Sequence, residues 1–471
     1  MRRTVLLLAS AALAVLLTSG VTSSPYITAQ TSPVKPNIVF ILTDDMRKDD
    51  LKYMPKTRAL LKTQGMQFQN AYVSNPLCCP SRATIMRGQY AHNTGVWSNF
   101  AGPDGGWQGY VNHGHEQDNI ATRLHDAGYR TGLFGKYLNP YDGTTSPKGW
   151  DDWFALMQPA DGFFDYYVND NGSKEYFGET ETDYFTDVLS KETQTFIDDS
   201  DVAGKPFFAY VAPKAPHLPA IPAPRHQHAF DGAKAPRLSS FNERDVSDKP
   251  PSIRSLPLLS QNQIAQIDAK HETRVESLQA VDDLVEAAVN KLRDVGALDN
   301  TYVVFTSDNG WHHGEHRIKA GKERPYEESV HMPLLVRGPG VQAGTTTNKL
   351  TLNTDFLPTF TDFAGVTTPE YVDGRSLRSV LEGNATSWRS AILLERQVDE
   401  DPNASFYGIR TSAGKKYIEY GDGFKELYDL KTDPHELNNS YRGDSVSADL
   451  ATRLRALKGC ASATCRSAEG L

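Results

Sequence analysis

The sequence predicts an α/β fold, with a large, mostly parallel sheet between helices followed by a small antiparallel sheet with one helix. Three observations carry that expectation. Apolar runs at 38–42 and 301–306 lead into Asp44-Asp45 and Asp308-Asn309, the pattern of strands buried on both faces whose C-terminal ends gather ligands. The stretch QAVDDLVEAAVNKLRDVGAL sets Val281, Leu284, Val285, Ala288 and Leu292 on one helical stripe just before the second run, and a helix feeding a buried strand is the repeating unit of a parallel sheet. Beyond about Gly374 the pattern changes to short runs with turn residues between them, which reads as a separate antiparallel sheet.

In chain order, Arg2 and Arg3 precede an apolar run over 5–17. A membrane span needs about 20 apolar residues, so this run reads as the core of a signal peptide within 1–29, cut after Gly20 or Ala29. RRTVLL is also similar to a twin-arginine export signal. No lipid-attachment cysteine stands nearby, so the expected destination is secreted or periplasmic, with no integral membrane span after cleavage. Strand 38–42 follows, then further helix and strand units in IATRLHDAGYRTGLFGKY and KPFFAYVAPKAPHLP, each ending in polar residues. Residues 221–264, rich in Pro, Ser and basic side chains, read as a long surface excursion that shapes substrate choice. SAILLER, SFYGIRT and KKYIEY then make short strands, closed by the helix SADLATRLRALKGC. The expected division is a catalytic domain over 30–373 and a C-terminal domain over 374–471.

With 471 residues, 39% hydrophobic and 23% charged, the chain can bury a large core and is neither disordered nor fibrous. A net charge of −9 without a basic run excludes non-specific nucleic-acid binding; an anionic substrate would need its cations gathered in one pocket. Of four cysteines, Cys460 and Cys465 close a short loop and suit a disulfide in an oxidising compartment. Cys78 and Cys79 are neighbours that cannot easily bond to each other and have no further thiols at metal-site spacing, so their explanation is chemical.

Asp44, Asp45, Asp308 and Asn309 offer hard oxygen ligands from two strand ends, which suits Ca²⁺ or Mg²⁺ and suits zinc poorly. Each pair taken singly also fits a loop start or a helix cap.

The stretch CCPSRATIMRGQYAHNTGV resembles the Cys-X-Pro-Ser-Arg signature of the type I, formylglycine-dependent sulfatases. NIVFILTDD, GYRTGLFGKYLN, APHLP, FTSDNG, GKERPYEESVHMPLLVRGPG, TDFLPTFTDFAGV and ELYDLKTDPHELNN look like family segments in family order, over nearly the whole mature chain. The resemblance implies that Cys78 is the residue a formylglycine-generating enzyme converts, and that Cys79 is the variable position. A hydrated formylglycine carries two hydroxyls, one to attack sulfur and one to expel sulfate afterwards, a second step that a plain Ser or Cys cannot perform. It further implies Ca²⁺, in preference to Mg²⁺, on Asp44, Asp45, Asp308, Asn309 and the modified residue 78, with Arg82 steadying the ligands. Lys136, His217 and Lys322 match the cations that grip sulfate and protonate the leaving oxygen. Singly, those lysines would read as solvated and His217 as a packed loop histidine.

One departure stands out. Many members follow the Gly-Lys of the GK segment with Trp-His, whereas this chain has GKYLN, with Leu138 or Asn139 near the missing histidine's place. Together with Cys79, this looks more like the N-acetylglucosamine-6-sulfatase and extracellular endosulfatase branch. His92, His312, His313 and His316 are the candidate replacements.

The resemblance implies an alkaline-phosphatase-like sandwich and hydrolysis of a sulfate monoester on a sulfated small molecule or glycan. A phosphonate monoester or phosphodiester hydrolase on the same scaffold, a non-catalytic binder of sulfated glycans, and a thiol hydrolase using Cys78 or Cys79 are the alternatives. Asn171 and Asn384 lie in glycosylation sequons.

Overall fold

The computed structural model describes residues 1, 35–159, 162–398 and 401–470. Apart from Met1, the expected signal peptide lies outside the described residues. No described helix is long and apolar enough to cross a membrane.

The apolar run after Pro36 becomes the strand Asn37–Thr43, every residue of it buried. It lies at the centre of a ten-stranded sheet, parallel to Thr301–Ser307 on one side and Phe207–Ala212 on the other, with Arg130–Gly135 and Asp152–Leu156 continuing the parallel run. Antiparallel strands finish both directions: Leu334–Arg337 beside Thr301–Ser307, and the hairpin Tyr166–Asp170 and Ser173–Phe177 at the far edge. That hairpin was not anticipated, because one of its strands is largely exposed and carries no apolar run.

Alternation along the central strand explains the layers. Ile38, Phe40 and Leu42 point into a core shared with the helices Cys78–Arg87, Ile120–Asp126 and Phe356–Phe363, while Val39 and Ile41 point into one shared with Phe185–Val202 and Gln261–Asp294. The register sets Thr43 opposite Ser307, so Asp44 and Asp308 leave the sheet side by side.

The helix Gln261–Asp294 has 34 residues, longer than the apolar stripe indicated. Ser260 caps it by accepting from the Gln263 N–H at 3.3 Å, and the Gln263 side chain accepts in return from the Ser260 N–H at 2.8 Å, so the helix begins inside the stretch read as a surface excursion. The rest of that stretch holds only the short helical turns Pro224–His226 and Pro251–Arg254.

The C-terminal sheet is antiparallel as expected, with strands Ala391–Arg396, Phe406–Thr411 and Lys415–Tyr420, and it gains a fourth, Lys425–Asp429. The helix Ser445–Lys458 packs on it, and Cys460 and Cys465 form the expected disulfide. The same core takes in Tyr72, Tyr90 and Val330, so the sheet is seated on the main body.

Candidate active site

Asp44 and Asp45 follow the central strand directly, and Asp308 and Asn309 follow its neighbour. Asp45 turns the chain with φ +68°, a left-handed conformation that Asp tolerates better than most residues, and its N–H donates to Asp308 Oδ1 at 3.1 Å. Cys78 opens the helix Cys78–Arg87, whose ten residues are all buried, and Gly88 ends it with φ +64°. The signature therefore forms one rigid buried turn and a half of helix that aims position 78 and Arg82 at the strand ends.

Cys78 Sγ lies 3.3 Å from Asp44 Oδ1 and 3.9 Å from Asp45 Oδ1. Lys322 Nζ approaches the sulfur at 2.7 Å and also pairs with Asp45. Lys136 Nζ donates to Asp44 Oδ2 at 2.6 Å. Arg82 Nε donates to Asp308 Oδ2 at 2.7 Å, and its NH1 to the Lys136 carbonyl at 2.7 Å, which ties the signature helix to two strand ends at once. His217 Nε2 stands 3.6 Å from Asp45 Oδ2 while its Nδ1 bonds the Leu218 carbonyl at 2.6 Å; Asn309 Nδ2 donates to Asp45 Oδ1 at 2.6 Å. All nine sequence-predicted positions of the site thus come together around the end of the central strand.

The electrostatics follow from this crowding. Burial alone would raise Asp44, but Lys136, His217, Lys214 and Arg82 hold it well below the usual carboxylate range. Burial likewise opposes Asp45, and Lys322 brings it down. Asp308 is pushed up, by burial and then by the charge of Asp44. Burial, with Asp44 adding to it, pushes the Cys78 thiol up to about 12, so the unmodified sulfur is a neutral thiol at physiological pH. Burial also takes His217 down to about 4.

The oxygen donors of the site fit a hard cation. Asp44, Asp45, Cys78 and His217 present their ligand atoms within 4.8 Å of one another. Asp45 Oδ2 and Asn309 Oδ1 are buried without a hydrogen-bond partner, as is Arg82 NH2, and buried oxygens are left unpaired only at a cost. Two free oxygens beside two further carboxylates suit an oxygen-ligated ion.

Two residues escaped the sequence reading. Lys214, in the same segment as His217, is buried, 3.9 Å from Asp44 Oδ2, and makes no other ion pair among the described residues. The spacing Lys-Ala-Pro-His is the signal that would have found it. Arg274, in the middle of the long helix, donates to the Asp45 carbonyl at 2.6 Å and to that of Pro216 at 2.8 Å; nothing in its local sequence marks it.

The candidate replacement histidines bond elsewhere. His92 joins Glu395 and the Cys460 carbonyl, His312 bonds the Gly321 carbonyl and Ser329, His313 meets His271, and His316 pairs with Glu243. Leu138 is in the core and Asn139 donates to Gln158.

The Sulfatase family model matches residues 36–366, and the model described as N-sulphoglucosamine sulphohydrolase, C-terminal, matches 314–459. An extracellular sulfatase homologue from Caenorhabditis elegans is 38% identical over 375 residues, covering 76% of this chain and 52% of the relative, so the chain spans about half the length of that protein. Human N-acetylglucosamine-6-sulfatase is 33% identical over 476 residues, 92% of this chain and 86% of the relative. Among solved structures, a complex described as holding its substrate, D-glucosamine-2-N,6-O-disulfate, superimposes with a TM-score of 0.76 at 26% identity, over 92% of this chain and 98% of that one. The parallel sheet with its clustered strand ends is the alkaline-phosphatase-like architecture of these relatives, and the chain belongs to the sulfatase family.

Proposed function

We propose that this protein hydrolyses sulfate monoesters on sugars outside the cytoplasm, with Cys78 converted to formylglycine by a separate maturation enzyme and Ca²⁺, in preference to Mg²⁺, held by Asp44, Asp45, Asp308 and Asn309. The observation that carries this reading is the placement of Cys78 against four metal-ligand candidates, two with unpaired buried oxygens, inside a ring of cations. The N-acetylglucosamine-6-sulfatase relatives and the glucosamine disulfate complex support a 6-sulfated glucosamine unit as the substrate. Residues 1–29 would be the export signal, 30–373 the catalytic domain and 374–471 the C-terminal domain.

When bound, the ion supplies charge that polarises a sulfate oxygen and lowers the pKa of the nucleophile. The hydrated aldehyde at position 78 supplies the attacking oxygen and a second hydroxyl. The remaining work falls to side chains already in place. Arg82 and Lys136 hold Asp308 and Asp44 in position and offset their charge. Lys322, Lys214 and His217 present positive or proton-bearing groups beside position 78, where negative charge grows on the sulfate oxygens in the transition state. His217, with Nδ1 committed to the Leu218 carbonyl, has Nε2 free to take a proton when an anion binds and to pass it to the leaving alcohol. A thiol enzyme is the poorer reading, because burial keeps Cys78 neutral.

The test is the mass of the tryptic peptide containing Cys78, from protein made in a host with a formylglycine-generating enzyme, together with release of sulfate from N-acetylglucosamine 6-sulfate. A peptide lighter by about 18 Da, the change from thiol to aldehyde, with sulfate release supports the proposal. An unmodified thiol in that host, or faster cleavage of the matched phosphate ester, overturns it.

A further inference from the structure

A cavity of about 670 Å³ opens between the segment 47–67 and the C-terminal sheet, with Leu238 of the long loop and Leu430 and Pro434 on its walls. It shares no lining residue with the Cys78 cluster, yet it adjoins it through the chain. Arg47 follows Asp45 by two residues and donates to the Trp311 carbonyl at 3.0 Å, and the Trp311 N–H, two residues beyond Asn309, donates to the Glu328 carbonyl at 2.9 Å. Its size is that of a ligand pocket.

The charge on its walls is lopsided. Among the carboxylates, Asp49 is paired with Arg47 at 2.8 Å and Glu327 with Lys416 at 3.1 Å, while burial pushes Glu328 up to about 8, so it is largely neutral at pH 7. Against them, Lys48, Lys52, Arg58, Lys62 and Arg410 line the cavity with no carboxylate at ion-pair distance among the described residues. In a chain of net charge −9, such a gathering of cations runs against the overall sign.

Two of these cations are built in, unlike ordinary surface side chains. Arg410 is only 8% exposed, stacks 4.8 Å from the Tyr72 ring centre and keeps its buried Nε without a hydrogen-bond partner. Lys48 Nζ is fixed by the Gln69 carbonyl at 2.6 Å and His331 Nε2 at 3.0 Å, and burial lowers it to about 8, a cost that a bound anion would offset. Leu51, Leu238, Leu430 and Pro434 interleave apolar surface with the charges, as the faces of sugar rings require.

We infer that this cavity is a second glycan site, which binds a sulfated or carboxylated oligosaccharide segment other than the unit being hydrolysed. The inference rests on the reading of the protein as an enzyme of sulfated sugars, and it extends that reading from a single sulfated unit to a polyanionic chain.

The experiment measures binding of a sulfated glucosamine-containing hexasaccharide to the full chain by calorimetry at two salt concentrations, for wild type, the double variant Arg58→Glu/Lys62→Glu and Arg410→Met. The pair is chosen because Arg58 is exposed and Lys62 half-buried, so that its replacement leaves the core intact. The expected result is at least tenfold weaker binding by the double variant with a shallower salt dependence, weaker binding by Arg410→Met, and unchanged hydrolysis of the sulfated monosaccharide by the double variant. Equal hexasaccharide affinity for wild type and both variants overturns the inference, as does equal wild-type affinity for polyglutamate of the same charge. Failure of wild type to release sulfate from the monosaccharide counts against the enzymatic reading and leaves the binding comparison intact. A higher KM of the double variant for the sulfated oligosaccharide alone shows that one substrate chain spans both sites; an unchanged KM with lost binding assigns the cavity to a separate glycan.

Discussion

Two places in the molecule bury ionisable groups at similar depth and treat them in opposite ways. In the C-terminal sheet, the Glu426 carboxylate accepts from Tyr326 at 3.0 Å, Tyr428 at 2.7 Å and Tyr420 at 2.7 Å, so both its oxygens are used. At the end of the central strand, Asp45 Oδ2, Asn309 Oδ1 and Arg82 Nη2 are equally buried and have no hydrogen-bond partner. A satisfied polar cluster specifies how parts of the fold meet; an unsatisfied one keeps its capacity for something that arrives later. The first belongs to architecture, the second to chemistry.

The sharpest way to break this division is at position 78. Cys78→Ala is expected to lower turnover by roughly 10⁶-fold with an unchanged circular dichroism spectrum, as loss of a nucleophile does, whereas Cys79→Ala keeps most of the activity. Equal loss from both changes would move the nucleophile assignment. Glu426→Ala should do the converse. Three buried tyrosine hydroxyls lose their acceptor, costing about 3–5 kcal/mol in denaturant unfolding, while activity per folded molecule is retained.

Calcium gives the next effect. Saturating Ca²⁺ at a hundredfold excess over its dissociation constant should stabilise wild type by about 2–3 kcal/mol, and Asp308→Ala should lose this response and the bound metal together. Retention of metal by that variant would remove Asp308 from the ligand set.

The smallest effect lies between the two regions, where His92 joins the main body to the C-terminal sheet by pairing with Glu395 at 2.8 Å. Against the opposing effect of burial, Glu395 raises His92 to about 9. A raised pKa means that the folded state holds the proton more tightly than the unfolded chain. The stabilisation is therefore complete below the unfolded value near 6.5 and is lost as pH rises through about 9. The stability difference between wild type and His92→Gln should shrink by on the order of 2 kcal/mol over that window, measured by chemical denaturation at fixed pH values. A constant difference would show that His92 contributes by packing alone.

The central strands and the signature were legible because each is a contiguous pattern: 38–42 is an unbroken apolar run, and Cys78 to Arg82 is a short motif. Lys214 was missed although its segment was recognised, since a lysine three residues before a histidine looks solvated until the strand end is seen to bury it. Arg274 and the basic cavity were beyond reach for a different reason. Arg274 reaches Asp45 across 229 positions, and Lys48 and Arg410 meet only because the C-terminal sheet docks on the main body. The strand Lys425–Asp429 was obscured because three of its five residues are charged, and the burial of Glu426 depends on tyrosines brought in by the fold.

Cys78 has no solvent exposure in the folded chain, and it begins a helix packed on every side. The separate enzyme proposed to convert Cys78 would need access to a sulfur that the folded chain does not expose. Under the proposed function, conversion of this side chain would have to precede closure of the core around it. On that reading the protein would have a biogenesis deadline: a molecule that folded before modification would keep its buried thiol and lack turnover.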